Sequence, residues 1–240
     1  MKRPIIGIIG RPDINDRKTP IINVFDVYRK AINEVGGNAI LILPPQNVIY
    51  ENVLPKNVPS LTEEEKEMLI DQIKLCDGFL LPGGFKMYEY DCFVVDYLIE
   101  HNYPVLGICM GMQVLAAHEK RKISNQVQHT LKNVGSENHY LEEGNHTHPI
   151  LLKKQTRLYN LFKKDQINVN SFHNYHVPDA LGFTISAVST DGYIEAIEYP
   201  SKDYVLGVQW HPEKMLVYQE EQRIIFQDFI NVCKKGVTNE

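Results

Sequence analysis

A strand that has to turn into a helix around a single cysteine constrains this chain more than any other stretch. In Pro104-Val105-Leu106-Gly107-Ile108-Cys109-Met110-Gly111-Met112-Gln113, the apolar run Val105–Ile108 has the length of a buried strand. Apolar residues resume at Met112, Val114 and Leu115 as a helix. Cys109 falls at the join. Gly107 and Gly111, two residues to either side, leave room for the sharp turn of a nucleophile elbow, with sulfur in place of a hydroxyl. A helix beginning just after the cysteine aims unpaired N–H groups and its positive dipole end at the sulfur, which favours thiolate. The competing reading is a buried structural cysteine that happens to lie near two glycines, since unpaired cysteine is among the most buried residue types. A cysteine nucleophile also needs a histidine to take its proton and a third group to orient that histidine. Gly207-Val208-Gln209-Trp210-His211-Pro212-Glu213, near the C-terminus, supplies both in His211 and Glu213.

As a pair, Gly-Ile-Cys-Met-Gly-Met-Gln at 107–113 and Gly-Val-Gln-Trp-His-Pro-Glu at 207–213 resemble the class I glutamine amidotransferase superfamily. Val169-Asn170-Ser171-Phe172-His173 and Asp191-Gly192-Tyr193-Ile194-Glu195-Ala196-Ile197-Glu198 are similar to its γ-glutamyl-γ-aminobutyrate hydrolase branch, peptidase C26. The resemblance runs from Pro4-Ile5-Ile6-Gly7-Ile8 to the last strand. It implies a Cys109–His211–Glu213 triad and an oxyanion hole made by the Gly84 and Met110 N–H groups. It also implies that Ser171 and His173 contact substrate, although a satisfied loop histidine remains an alternative for His173. Gln113, one helical turn beyond Cys109, faces the same side and is the candidate contact to a glutamyl head group. The fold implied is a mostly parallel sheet flanked by helices, flavodoxin-like, with a small antiparallel appendage.

The pattern of elements leads to the same class of fold. Ile5–Ile9 is a first buried strand. Val24, Val27, Tyr28, Ala31, Ile32 and Val35 recur at helical spacing, Gly36-Gly37 closes that helix, and Ala39–Leu43 is a second strand. This βαβ beginning predicts a parallel sheet with right-handed crossovers. Thr62-Glu63-Glu64-Glu65 is a capping box opening a helix to Leu75, and its carboxylates read as a solvated helix start. Gly78–Leu81 is a third strand, ended by Pro82-Gly83-Gly84, and Asp91–Glu100 is a helix leading to the elbow strand. Phe183–Val188 and Tyr193–Tyr199 flank the hairpin signal Asp191-Gly192, and Tyr204–Trp210 follows as a strand presenting His211. Tyr218–Lys234 is a last helix with Ile225, Phe226, Phe229, Ile230 and Cys233 on one stripe.

The loops are less informative. Gly10–Pro20 is a polar segment at a strand end, read as a solvated connector that could also border the site. Pro44–Pro59 is long and proline-punctuated and suits either a binding loop or a tolerated surface excursion, its position next to a strand end favouring the first. After the nucleophile helix, Ala117-His118-Glu119-Lys120-Arg121-Lys122 departs from the Gly-Gly-containing turn common in the hydrolase branch. Residues 126–149 are His-rich, with His129, His139, His146 and His148. Their irregular spacing, with no His-Glu-x-x-His and no paired cysteines, argues for a flap over the pocket rather than a metal site.

At 240 residues, 43% of them hydrophobic, the chain can bury one α/β core, so 1–240 is read as a single domain. A net charge of -5 with no extended basic run gives no footprint for nucleic acid. No apolar run spans a bilayer and Met1-Lys2-Arg3 leads into a strand, so a soluble cytoplasmic protein is expected. Cys76, Cys92, Cys109 and Cys233 have neither CxxC spacing nor disulfide density and are expected as reduced thiols. The leading functional expectation is a cysteine hydrolase that cleaves γ-glutamyl amides of small amines through a γ-glutamyl thioester, without metal or organic cofactor. Two alternatives stand beside it: a glutaminase subunit delivering ammonia to a partner synthetase, and a catalytically silent binding module. The small-molecule substrate is the expected partner, and homo-oligomerisation is left open.

Overall fold

The computed structural model describes residues 2–46, 60–84, 87–120, 131–132, 139 and 147–237. The parallel sheet begins as the pattern requires, with β1 (Ile5–Ile9), α1 (Asp26–Glu34) and β4 (Asn38–Ile42), β4 pairing parallel to β1. Gly36 takes the left-handed conformation just past the helix end, with φ 91°. The capping box at α2 (Glu63–Ile73) is formed: Thr62 Oγ1 accepts from Glu65 N at 3.2 Å, and Glu65 Oε2 accepts from Thr62 N at 2.8 Å. β5 (Gly78–Leu81), α3 (Glu89–Glu100), β6 (Val105–Ile108) and α4 (Met110–Ala116) follow in turn.

The second half adds β8 (Thr147–Leu152), α5 (Arg157–Phe162), β9 (Gln166–Asn170), β11 (Thr184–Ser189), β12 (Ile194–Glu198), β13 (Val205–Val208) and the short α6 (Pro212–Met215). The nine strands form one sheet in the order β4-β1-β5-β6-β13-β12-β11-β8-β9. The five from β4 to β13 are parallel, and the four from β12 to β9 continue the sheet antiparallel. Apolar residues fill both faces. On one, Ile225, Phe226, Phe229, Ile230 and Cys233 of the last helix α7 (Arg223–Val237) are fully buried with Ile6, Ile8, Leu106 and Leu206. On the other, Leu69, Ile73, Val94 and Leu98 of α2 and α3 pack with Phe79, Val105 and Leu115.

Two small antiparallel sheets stand apart. One pairs β7 (Leu131–Lys132) with β10 (Tyr175–His176). The other corrects the reading of Gly10–Pro20 as a solvated connector: β2 (Arg11–Ile14) and β3 (Pro20–Asn23) form a hairpin. Asn15 Oδ1 accepts the Arg17 and Thr19 N–H groups at its turn. Arg11, at its base, is buried beside Asp91 and donates to the Pro82 carbonyl at 3.2 Å. The last helix also begins later than its pattern suggests, because a 3₁₀ turn at Glu220–Gln222 precedes it. Most of Pro44–Pro59 and of residues 126–149, with His129 and His146, lies outside the described residues.

Candidate active site

β5, β6 and β13 are adjacent and parallel, so their carboxyl ends open on one edge of the sheet, where open α/β folds build their sites. Each delivers one part of the expected machinery: the Pro82-Gly83-Gly84 turn, Cys109 and the His211 segment.

Cys109 has φ 53° and ψ -108°, a conformation rare for a residue with a side chain and costing about 1–3 kcal/mol. Its N–H is anchored to the Val208 carbonyl at 2.8 Å and its carbonyl accepts from Gln113 N at 3.2 Å. The flanking glycines are required by close approach. A Cβ on Gly111 would lie 2.2 Å from the Leu81 carbonyl oxygen, and one on Gly107 would lie 2.9 Å from the Gly111 backbone. The helix can fold back onto the sheet there only because both positions lack side chains.

His211 and Glu213 meet on the same edge. His211 Nδ1 is 2.6 Å from Glu213 Oε1, and both side chains are buried. Burial by itself lowers the His211 pKa, but the charges of Glu213 and Cys109, with the hydrogen bond to Glu213, push it up to about 10. Those charges favour the imidazolium form beside the Glu213 carboxylate. Asn170 fixes its backbone on both sides, accepting from His211 N at 2.9 Å and donating to His211 O at 2.8 Å. Phe172 sets its ring edge-on to the imidazole, with centroids 6.1 Å apart.

The Gly83-Gly84 turn lies against this pair. A Cβ on Gly83 would meet His211 Cε1 at 2.8 Å, the Tyr28 hydroxyl at 3.0 Å and Cys109 Cβ at 3.5 Å. Gly84 sits over the Met110 side chain. Met110 is the first residue of α4, whose leading N–H groups have no partner within the helix. Gly83 N–H is taken by the Tyr28 hydroxyl at 2.9 Å, and that oxygen is also 3.4 Å from His211 Nδ1. Burial, then the Glu213 charge, holds the Tyr28 phenol well above its ordinary pKa, so it stays protonated. Sequence reasoning assigned Tyr28 only to an apolar helix stripe and gave Asn170 no role. The available signal was a buried phenol on an otherwise aliphatic face, which has to find a partner for its hydroxyl.

The expected substrate contacts are distributed differently. Gln113 donates from Nε2 to the Tyr175 carbonyl at 3.4 Å and to Gln209 Oε1 at 3.3 Å. Ser171 Oγ is 2.7 Å from His148 Nδ1, and His173 donates from Nδ1 to the Tyr175 carbonyl at 3.0 Å. Both side chains are buried among His139, His148 and Glu195. In the segment that departs from the hydrolase pattern, His118 is buried with Nδ1 2.6 Å from Asp96.

A nine-stranded mixed sheet with a strained cysteine at the end of β6, facing a buried His–Glu pair, has the architecture of class I glutamine amidotransferases. The Trypanosoma brucei CTPS glutaminase domain with bound acivicin aligns over 97% of this chain and 94% of its own, with a TM-score of 0.65 at 18% identity. A Thermotoga maritima glutamine amidotransferase aligns over 100% and 93%, with a TM-score of 0.56 at 14% identity. Among curated relatives, a Schizosaccharomyces pombe protein provisionally named a glutamine amidotransferase is 27% identical over 86% of this chain and 81% of its own length. CTP synthase from Borreliella afzelii is 28% identical over 67% of this chain, a match covering 36% of that longer protein. The Peptidase C26 family model matches residues 88–213, and the chain belongs to that family. The comparisons support a glutamine amidotransferase-like amide hydrolase.

Proposed function

We propose that this protein hydrolyses γ-glutamyl amides of small amines, such as γ-glutamyl-γ-aminobutyrate, through a Cys109–His211–Glu213 triad. The observation that carries the reading is the buried His211, 2.6 Å from Glu213 and gathered with the strained Cys109 against the Gly83 turn.

His211 already holds the proton given up by Cys109, and Glu213 fixes the tautomer and stabilises the imidazolium. The thiolate attacks the γ-glutamyl carbonyl, and the oxyanion is received by the Gly84 and Met110 N–H groups. Two such donors aimed at developing charge supply several kcal/mol, about 3 per donor. His211 returns the proton to the leaving amine, and a γ-glutamyl thioester remains on Cys109. Water deprotonated by the same imidazole then hydrolyses it to glutamate and free thiol. Gln113 is the proposed contact to the glutamyl head. Ser171 and His173, named by the resemblance as substrate contacts, border the site through Phe172 and Asn170. These steps use only side chains, backbone donors and water.

A second reading is favoured by the CTP synthase relatives: a glutaminase that passes ammonia to a synthetase made as a separate chain. Glutamate release from a panel of γ-glutamyl compounds and glutamine, with Cys109→Ala as control, separates the two. Cleavage of γ-glutamyl-γ-aminobutyrate by the isolated chain, exceeding that of glutamine, supports the hydrolase. Glutaminase activity that appears only with an added synthetase overturns it in favour of the second reading.

A further inference from the structure

Three histidines and a glutamate that the proposed reaction does not use converge at one buried point. His139, His148, His173 and Glu195 each offer a ligand atom, and these atoms all lie within 4.8 Å of one another. All four side chains are essentially inaccessible, at 2% exposure or less. We propose that they form a tetrahedral zinc site, with Nδ1 of His139, Nε2 of His148 and His173, and Glu195 Oε1 as its ligands.

The spacing suits a metal better than hydrogen bonds. Glu195 Oε1 is 3.5 Å from His139 Nδ1, 3.4 Å from His148 Nε2 and 3.4 Å from His173 Nε2, and His139 Nδ1 is 3.2 Å from His173 Nε2. Ligands 2.0–2.1 Å from a tetrahedral zinc stand about 3.3–3.4 Å from each other, whereas N–H···O hydrogen bonds centre near 2.9–3.0 Å. Neither Glu195 oxygen, nor His148 Nε2, has a hydrogen bond of acceptable geometry among the described residues.

The outward nitrogens of His173 and His139 set their tautomers in the same direction, and the Ser171 hydroxyl permits the same one for His148. His173 Nδ1 faces the Tyr175 carbonyl and has to carry a proton, which leaves Nε2 as a lone pair. His139 Nε2 is 3.2 Å from both Asp191 oxygens and donates there, leaving Nδ1 as a lone pair. Ser171 Oγ is positioned to accept from His148 Nδ1. With the outer nitrogens protonated, three lone pairs and a carboxylate point inward at each other, and a cation is what that arrangement lacks. Carboxylate, hydroxyl and carbonyl groups on the far side of each ring are the usual means of orienting metal-bound histidine. Three imidazoles with one carboxylate match zinc, and four protein ligands in a closed, buried setting match a structural site rather than a catalytic one.

The consequence for the fold is specific. The ion would join residue 139 to β8, to the segment after β9 and to β12. β9 ends on Asn170 and that segment carries Phe172; these two hold the His211 backbone and ring, and the Glu195 carbonyl accepts from Gln209, two residues before His211. The site is therefore a brace behind the imidazole.

The full chain, produced without a polyhistidine tag, gives the test. We expect about one zinc per chain by elemental analysis, a lower thermal midpoint after the metal is stripped, and visible bands of tetrahedral cobalt when Co²⁺ is added to the stripped chain. The bands should persist in Cys109→Ala. Glu195→Gln and His148→Ala should weaken zinc at least tenfold in competition with a chromophoric chelator. If those variants do not fold, the cobalt spectrum of the unmodified chain and of Cys109→Ala decides. A stripped chain that gives no visible bands overturns the site, as does zinc affinity unchanged in a folded Glu195→Gln. Bands lost in Cys109→Ala would assign the metal to the elbow thiol and overturn it equally.

Discussion

Removing one oxygen from Tyr28 should damage both stability and catalysis, by amounts that can be reasoned from its contacts. The ring is fully buried among the aliphatic residues of α1 and the sheet, so Tyr28→Phe preserves packing. What it removes is the acceptor for Gly83 N–H at 2.9 Å and the hydroxyl 3.4 Å from His211 Nδ1. A buried N–H left unpaired costs about 1–3 kcal/mol. In a chain of this size each kcal/mol corresponds to about 2–4 °C in the thermal midpoint. The catalytic effect comes through the turn: Gly83 N–H tethers the peptide whose neighbour, Gly84, is proposed to receive the oxyanion. Full loss of one such donor costs about 10²–10³ in kcat, so partial misalignment should cost about 10–100-fold. KM should change little, because the donor acts on charge that develops only in the transition state. Tyr204→Phe is the control. Its hydroxyl is equally buried but donates to the Ile225 carbonyl at 3.4 Å, against α7. It should lower the midpoint without changing kcat. Steady-state glutamate release and calorimetry on both variants make the comparison. A Tyr28→Phe enzyme with unaltered kcat, or one losing no more kcat than Tyr204→Phe, would refute the tether.

The remaining predictions concern the elbow and its imidazole. In the wild-type protein kcat/KM should fall as pH rises through about 10, where His211 gives up its proton. Because that pKa is raised on folding, the stabilisation from the ion pair is complete below the ordinary histidine value of about 6.5 and disappears on rising through about 10. Glu213→Gln should move the alkaline limb to lower pH, and a limb that stays in place means the carboxylate is not what holds the proton. Gly111→Ala drives a methyl to 2.2 Å from the Leu81 oxygen and should cost about 1–3 kcal/mol or more, read by urea unfolding; a neutral substitution would mean that α4 does not press on β5. Iodoacetamide at neutral pH should label Cys109 first: all four thiols are buried, but Cys109 sits at the elbow beside His211, whereas burial pushes the Cys76 thiol up to about 12 and the Cys233 thiol higher still. Peptide mapping that finds another cysteine alkylated faster would contradict the assignment.

The sequence was most readable where covalent geometry leaves little choice. Gly107 and Gly111 are required by the approach of α4 to β5, so the elbow writes itself as Gly-x-Cys-x-Gly. His211 and Glu213 are close in the chain, and their 2.6 Å contact needs only a local turn. The capping box at Thr62 and the stripe of α7 depend on local spacing and were legible for that reason. What long-range contact decides was not. Arg11 looks like a loop residue until Asp91 and the Pro82 carbonyl, far along the chain, bury it. His139, His148, His173 and Glu195 have no motif spacing because β8, the segment after β9, and β12 meet only in the sheet. Tyr28 is at a proper core position, and only the folded turn at Gly83 gives its hydroxyl a purpose.

Mass spectrometry of the intact protein, quenched in acid during turnover of γ-glutamyl-γ-aminobutyrate, tests the central claim most directly. The account predicts a transient glutamyl adduct that maps to Cys109, absent in Cys109→Ala and strongly reduced in His211→Ala, which can neither activate the thiol nor protonate the leaving amine. Glutamate released at the wild-type rate by Cys109→Ala, or an adduct carried by another residue, would contradict it.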